Sequence, residues 1–296
     1  MNKSKFLNPF KQGYDAKIDI ELIRRSLSGD KDSLNTLLKI HQAFIYNLAL
    51  KMINNVADAE DVTQEILIKI ITNLVSYDEQ KAKFTTWVYR IIVNHILNLK
   101  KQKYETLVDS FEIFFAGIEQ TATIELSQEE ETSMTKEIEE GKIACMSGML
   151  MCLDREQRLT YILGALFEID HHLGAEIFDI SPDNFRQRLS RAKKDLHQWM
   201  HNRCGLVNAE NPCRCPKKTK GFIQNGWLDP NKLKWNADFV HKIKDYAAEN
   251  INETLLTYDQ LYARLYQDHP FKIPKNADGI VDFIINNDNL RKSLKY

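Results

Sequence analysis

Apolar residues return at three- and four-residue steps along nearly the whole chain, and no stretch alternates strictly enough to make a half-buried strand. Breakers are sparse, with 11 Gly and 7 Pro among 296 residues. Such a pattern constrains the chain to an all-helical fold. Asp19 to Ser28 gives a short amphipathic helix ending at Gly29. Lys31 to Asn54 gives a longer one, with Leu34, Leu37, Leu38, His41, Ile45, Leu48, Ala49 and Met52 on one side. The next helix is read as capped by Asp58, with Val62, Ile66, Ile70 and Leu74 as its inner stripe. Asp61, Gln64 and Glu65 share its opposite face, since residues three and four apart are neighbours on a helix. A further helix, Thr85 to Lys103, turns Val88, Ile91, Ile92 and Leu99 inward and Trp87, Arg90, Asn94, Asn98 and Lys101 outward. Aromatic and cationic side chains on one outward stripe suit contact with nucleic acid, through base stacking and phosphate pairing. A Trp tucked against its own domain is the competing reading.

The densest local signal lies at Gly174 to Lys194. A helix ending near Phe178 is followed by a turn through Asp179 and Ile180. Ser181 is placed to cap a second helix and Pro182 to occupy its first position. Phe185, Leu189, Ala192 and Leu196 line the inner face of that helix. Arg186, Gln187, Arg188, Arg191, Lys193 and Lys194 line the other face. Ala175 is read as the small residue that permits close packing. A cationic second helix after a tight turn is the arrangement that enters a DNA major groove; a solvated basic helix in a helical hairpin is the alternative. Upstream, Asp154 and Gln157 form a capping-box-like start for the helix that precedes this motif.

Charge is informative through its placement. The net charge is −1, yet Lys and Arg gather at Lys81 to Lys103, Arg186 to Lys194 and Arg214 to Lys220, with an acidic stretch from Glu105 to Glu140. Local potential, more than the total, governs phosphate binding. No apolar run approaches the roughly 20 residues that span a bilayer, and the polar Met1 to Lys17 lacks a signal-peptide core. A cytoplasmic protein is expected. Five cysteines, an odd count, argue against a disulfide framework. Cys145 and Cys152 read as buried hydrophobes. His201, Cys204, Cys213 and Cys215 offer the three thiolates and one imidazole that a structural zinc accepts. Their spacing is not that of a standard finger, so packed or free thiols stand as the other reading; His197 is a weaker fourth ligand.

Taken in order, these segments resemble the bacterial RNA polymerase sigma factors of the extracytoplasmic-function (ECF) type. Asp58-Ala59-Glu60-Asp61-Val62-Thr63-Gln64-Glu65 looks like the part of sigma domain 2 that grips the polymerase clamp helices. Phe84 to Asn94 looks like the helix that melts and reads the minus-ten element. Leu153 to Arg158, with Ile180-Ser181 and Arg188 to Lys193, looks like sigma domain 4. The resemblance divides the chain into domain 2 (19–103), an acidic linker (104–142), domain 4 (143–202) and a Cys-containing helical extension (203–296). It implies that Asp61, Gln64 and Glu65 bind core RNA polymerase. Tyr77, Lys81, Lys83, Trp87, Arg90, Asn94, Asn98 and Lys101 would meet the downstream promoter element. Asn184, Arg186, Gln187, Arg188, Ser190, Arg191 and Lys194 would meet the upstream one. The linker would thread toward the polymerase active centre.

No catalytic residue and no required cofactor are implied. The partners expected are core polymerase and promoter DNA, with an anti-sigma factor, activator or recruiting complex open for the extension, and no membrane. Three features depart from the family. Asn184-Phe185 stands where many relatives have Thr-Val, the Pro that many relatives carry just before the helix starting at Asp154-Arg155 is missing here, and the chain continues past Asn202, where minimal members end. A stand-alone helix-turn-helix regulator is the alternative function. It does not account for the first two motifs.

Overall fold

The computed structural model describes residues 16–100, 110–233 and 276–287. Among them every element is helical, apart from an isolated parallel β-bridge between Cys204 and Cys213. The fold is all-α.

Four helices open the chain: α1 (Ala16–Leu27), α2 (Lys31–Ile53), α3 (Val56–Asn73) and α4 (Phe84–Asn98). Asp30 caps α2, its carboxylate accepting from the Asp32 and Ser33 amides. The cap of α3 is Asn55, whose side chain accepts from the amide of Asp58. Asp58, read above as the cap, sits inside the first turn, where its charge meets the positive end of the helix dipole. Helix α4 is shorter than its sequence pattern suggested; Lys101 lies outside the described residues.

The segment read as a linker with one or two short helices is mostly helical over its described residues, 110–142. It contains α5 (Phe111–Gln120), α6 (Gln128–Ser133) with a complete Ser127–Glu130 capping box, and the start of α7 (Thr135–Met151). Then come α8 (Arg155–Tyr161), a π-helical turn (Ile162–Leu166), α9 (His171–Phe178), α10 (Pro182–Arg203), α11 (Cys215–Gln224) and α12 (Ala277–Asn286).

Packing gathers the chain into two compact units. One takes residues 1–100, 162–186 and 271–296; the other takes 101–161 and 187–270. In the first, α2 and α3 make the central pair. Ile45, Leu48, Ala49, Ile66 and Leu67 are fully enclosed, and burying each large aliphatic contributes roughly 1.5–3 kcal/mol. Helix α9 packs on α4, and α12 packs on α2. The described helix of the extension, α12, buries Ile280, Val281, Ile284 and Ile285 within the first unit and leaves Phe283 exposed. The stripes read at Phe239 to Tyr246 and Leu261 to Leu265 lie outside the described residues.

In the second unit, α11 packs on α7. Acidic residues of the former linker meet the basic run that follows the cysteines, Lys217 with Glu125 and Lys220 with Glu130 at 2.6 Å, and Glu119 meets Arg203 at the end of α10 at 3.4 Å. Lys218 donates to the Thr121 carbonyl at 2.6 Å. The two charge runs that the sequence left apart are each other's partners.

Candidate polymerase and nucleic-acid interface

The N-terminal end of α4 is set by a buried chain of contacts. His41 Nε2 lies 3.1 Å from Asp19 Oδ1, both enclosed, and the His41 ring meets Phe84 edge-on. Phe84 is buried, and Trp87 stacks on it with centroids 5.5 Å apart. Tyr77 closes the group, 5.2 Å from Phe84 and 5.5 Å from Trp87, while its hydroxyl donates to the Ala82 carbonyl. The loop from Ser76 to Lys83 is therefore folded over an aromatic trio. Trp87 combines the two readings given above: one face is stacked within its own domain, and the side chain remains partly exposed. Lys81 pairs with Asp78 at 3.4 Å, and Lys83, Asn94 and Asn98 are exposed. Burial and nearby carboxylates raise the Tyr77 phenol above its ordinary value, keeping it a neutral donor.

Arg90 is engaged. Its Nε donates to the Glu176 carbonyl at 3.0 Å, and its guanidinium stands 3.5 Å from the Glu176 carboxylate. Helix α9 thus shares the stripe of α4 that the sequence assigned to DNA.

On α3, Asp61 and Glu65 are exposed and Gln64 is partly so. The Glu65 carboxylate lies 3.1 Å from His95 Nε2 of α4. Burial, aided by Lys69, holds the His95 imidazole below its ordinary range, and Glu65 opposes that only in part.

The helix-turn-helix closes as read. The Asn184 amide donates to Ser181 Oγ at 3.2 Å, Pro182 opens α10, and Asp179 takes the left-handed conformation at φ 54°. The small residue that matters is Gly174. A Cβ there would come within 2.4–2.7 Å of the Phe185 ring, so Gly174 permits the close approach, beside the buried Ala175. Asn184, Arg186, Gln187, Ser190, Arg191 and Lys194 are exposed. Arg186 pairs with Asp183, and Arg191 reaches the Gln187 carbonyl. Arg188 is only 21% exposed and pairs with Glu156 of α8 at 2.9 Å.

Sequence reasoning passed over Arg158. It is buried and donates to the carbonyls of Leu150, Met151 and Leu153, which closes the end of α7. A cation directly after a capping box was its only signal.

His201, Cys204, Cys213 and Cys215 do not assemble as one metal-holding set; among the described residues no group of three His, Cys, Asp or Glu is so placed. His201 stacks on His197 one turn back. Cys145, read as a buried hydrophobe, packs against the apolar cluster of Ile118, Phe222 and Leu228, as Cys213 does.

Comparison with known proteins meets this geometry at α2 to α4. Residues 37–105 match the family model described as Sigma-70 region 2. The described part of the matched segment is helical and is similar to that family. Over 89 residues the chain is 35% identical to the ECF RNA polymerase sigma factor SigW of Bacillus subtilis (strain 168), covering 30% of this chain and 47% of the relative. Over 80 residues it is 34% identical to the RNA polymerase sigma-H factor of Pseudomonas aeruginosa, covering 27% and 41%. It is 32% identical over 71 residues to the ECF sigma factor SigE of Mycolicibacterium smegmatis, covering 24% and 27%. The chain spans less than half the length of these curated relatives. A solved structure of CnrH in complex with the cytosolic domain of CnrY aligns at a TM-score of 0.44 and 18% identity, over 67% of this chain and 100% of that one.

Proposed function

We propose that this chain is a sigma factor of the ECF type that binds core RNA polymerase and directs initiation at particular promoters. The observation that carries the reading is that the region 2 match at 37–105 falls on α2 to α4. Their outer surface holds Asp61 and Glu65 on α3 and Asn94 and Asn98 on α4, beside the partly exposed Trp87. Acidic residues on α3 are the polymerase contact. The aromatic loop and α4 meet the downstream promoter element, and the exposed face of α10 reads the upstream one. Arg90 and Arg188 join those faces only after exchanging their ion pairs with Glu176 and Glu156 for phosphate. Each is a surface pair worth roughly 0–1 kcal/mol, which a phosphate contact can replace.

The protein supplies recognition, and the polymerase supplies the chemistry. The Cys-containing extension marks a subgroup, and the site of action is the cytoplasm; no described helix is long and apolar enough to cross a membrane. The test is run-off transcription on fragmented genomic DNA with purified core polymerase. Discrete transcripts that require this protein are expected. Tight duplex binding by the protein alone, without transcripts, would instead favour a stand-alone regulator.

A further inference from the structure

Helix α1 precedes the segment that matches region 2, and its amphipathic pattern is partly inverted. Asp19, Ile23 and Ser26 form the buried stripe, while Ile18 stands half exposed. A fully enclosed carboxylate thus takes a place where an aliphatic would fit. Burying such a group is unfavourable unless hydrogen bonds compensate, and an apolar pair of similar size is often as stable or more so. What a buried polar pair adds is direction.

Asp19 aims its bond at one group. Its Oδ1 lies 3.1 Å from His41 Nε2 on α2, and a carboxylate accepts, so the ring turns Nε2–H toward it. The imidazole then meets Phe84 at 77°, with centroids 5.3 Å apart. Phe84 in turn carries Trp87, stacked at 25°, and Tyr77 at 76°. The Tyr77 hydroxyl donates to the Ala82 carbonyl at 3.1 Å. Each contact in the series depends on the orientation of the one before it. Helix α1 also packs on the short 3-10 turn Leu74–Ser76 that leads into the loop. It reaches the loop itself through Arg24, whose Nη2 donates to both carboxylate oxygens of Glu79, at 3.1 and 3.4 Å. One helix therefore governs the loop's entry, its aromatic floor and its outer edge.

We propose that α1 is the positioning element of the Ser76–Lys83 loop, with Asp19 and Arg24 as the residues that set its base preference. The inference rests on the sigma reading above. Both residues act through others. Asp19, by way of His41 and Phe84, orients the exposed part of Trp87, on which an unpaired base can stack. Arg24, by way of Glu79, keeps the loop folded beside that surface. A loop held at a fixed distance from Trp87 favours one base shape, and a loop free to shift tolerates several.

The experiment is run-off transcription by the full chain with core polymerase. The templates carry each base in turn at every position of the downstream element of a promoter that this protein directs. The parent is expected to favour one base by roughly tenfold at one position or more, the usual size of a mismatch cost. Asp19→Leu with His41→Leu is expected to flatten that preference, while polymerase capture and the urea midpoint stay near the parent's. Arg24→Glu sets two carboxylates against each other at the loop's exposed edge, leaves the core untouched, and is expected to flatten it too. Adding Glu79→Arg to Arg24→Glu is expected to restore it; a swap that stayed flat would overturn the role given to Arg24. Transcripts that fall equally on all templates, with the preference kept, would mean that α1 only stabilises the fold, and would overturn the proposal. So would a preference kept in Arg24→Glu, whatever the leucine pair does to folding, or a parent indifferent to base throughout the element. A parent that directs no transcripts would remove the sigma reading, and this inference with it.

Discussion

Phe84 shows how a single side chain places a surface that it does not reach. It is held from beneath by the buried Asp19–His41 pair and supports Trp87 and Tyr77 above. Gly174 works by absence, leaving room for the Phe185 ring. Gly174→Ala should therefore destabilise by about 1–3 kcal/mol through overpacking, read as a lower denaturant midpoint. His95 predicts an acid sensitivity. Its folded pKa lies below the unfolded value, so between the two the unfolded chain binds more protons and stability rises with pH. Stability should fall as pH drops below about 6.5. Glu65→Gln should steepen that fall, because the carboxylate favours the imidazolium; His95→Gln should flatten it. Urea midpoints measured across that range decide the matter, and an unchanged slope in His95→Gln would refute the assignment. The aromatic and basic residues of α4 were legible in the sequence because their spacing was helical. Arg158 and Gly174 were not, since their roles depend on carbonyls and a ring that only the tertiary fold brings near.

Among the elements, α3 and α4 carry the proposed recognition. Reversing Asp61 and Glu65 to Lys should abolish capture by core polymerase in a pull-down while leaving the helix content intact by circular dichroism. Helix α9 sets a second test. Glu176→Ala removes the carboxylate beside Arg90 and keeps the carbonyl contact. Such exposed pairs are worth at most about 1 kcal/mol. Promoter-DNA affinity should thus rise by less than about fivefold, measured by fluorescence anisotropy at fixed salt; a loss of affinity would contradict the reading of Arg90. Helix existence was plain from periodicity, but boundaries were not. Asn55 displaced Asp58 as the cap because the chain enters the helix three residues earlier. Residues 111–142 hold more helix than the one or two short helices expected of that linker: Glu-rich segments look solvated until their basic partners, here Lys217 and Lys220, are in place.

For the molecule as a whole, the acidic segment and the basic run hold the second unit together across about 90 residues of sequence. Reversing Lys217 and Lys220 to Glu should lower the melting temperature, by an amount that shrinks as salt screens the repulsion. Adding Glu125→Lys and Glu130→Lys should restore it. A melting temperature that stayed low in the fourfold variant would mean that the loss was not electrostatic. Such pairings escape a reading of one stretch at a time, because neither charge run names its partner.

Helix α12 gives the chain an unusual calendar. Gln42 donates to the Ala277 carbonyl at 2.8 Å, and Lys39 pairs with Asp278 at 2.9 Å, some 235 residues downstream. On the ribosome, the α2 surface is made early and stays bare until residue 286 has emerged, many seconds later at ordinary synthesis speeds of about 5–20 residues per second. During that interval its apolar face is open to chaperones. A chain cut short before residue 277 would keep α2 and lack this cover.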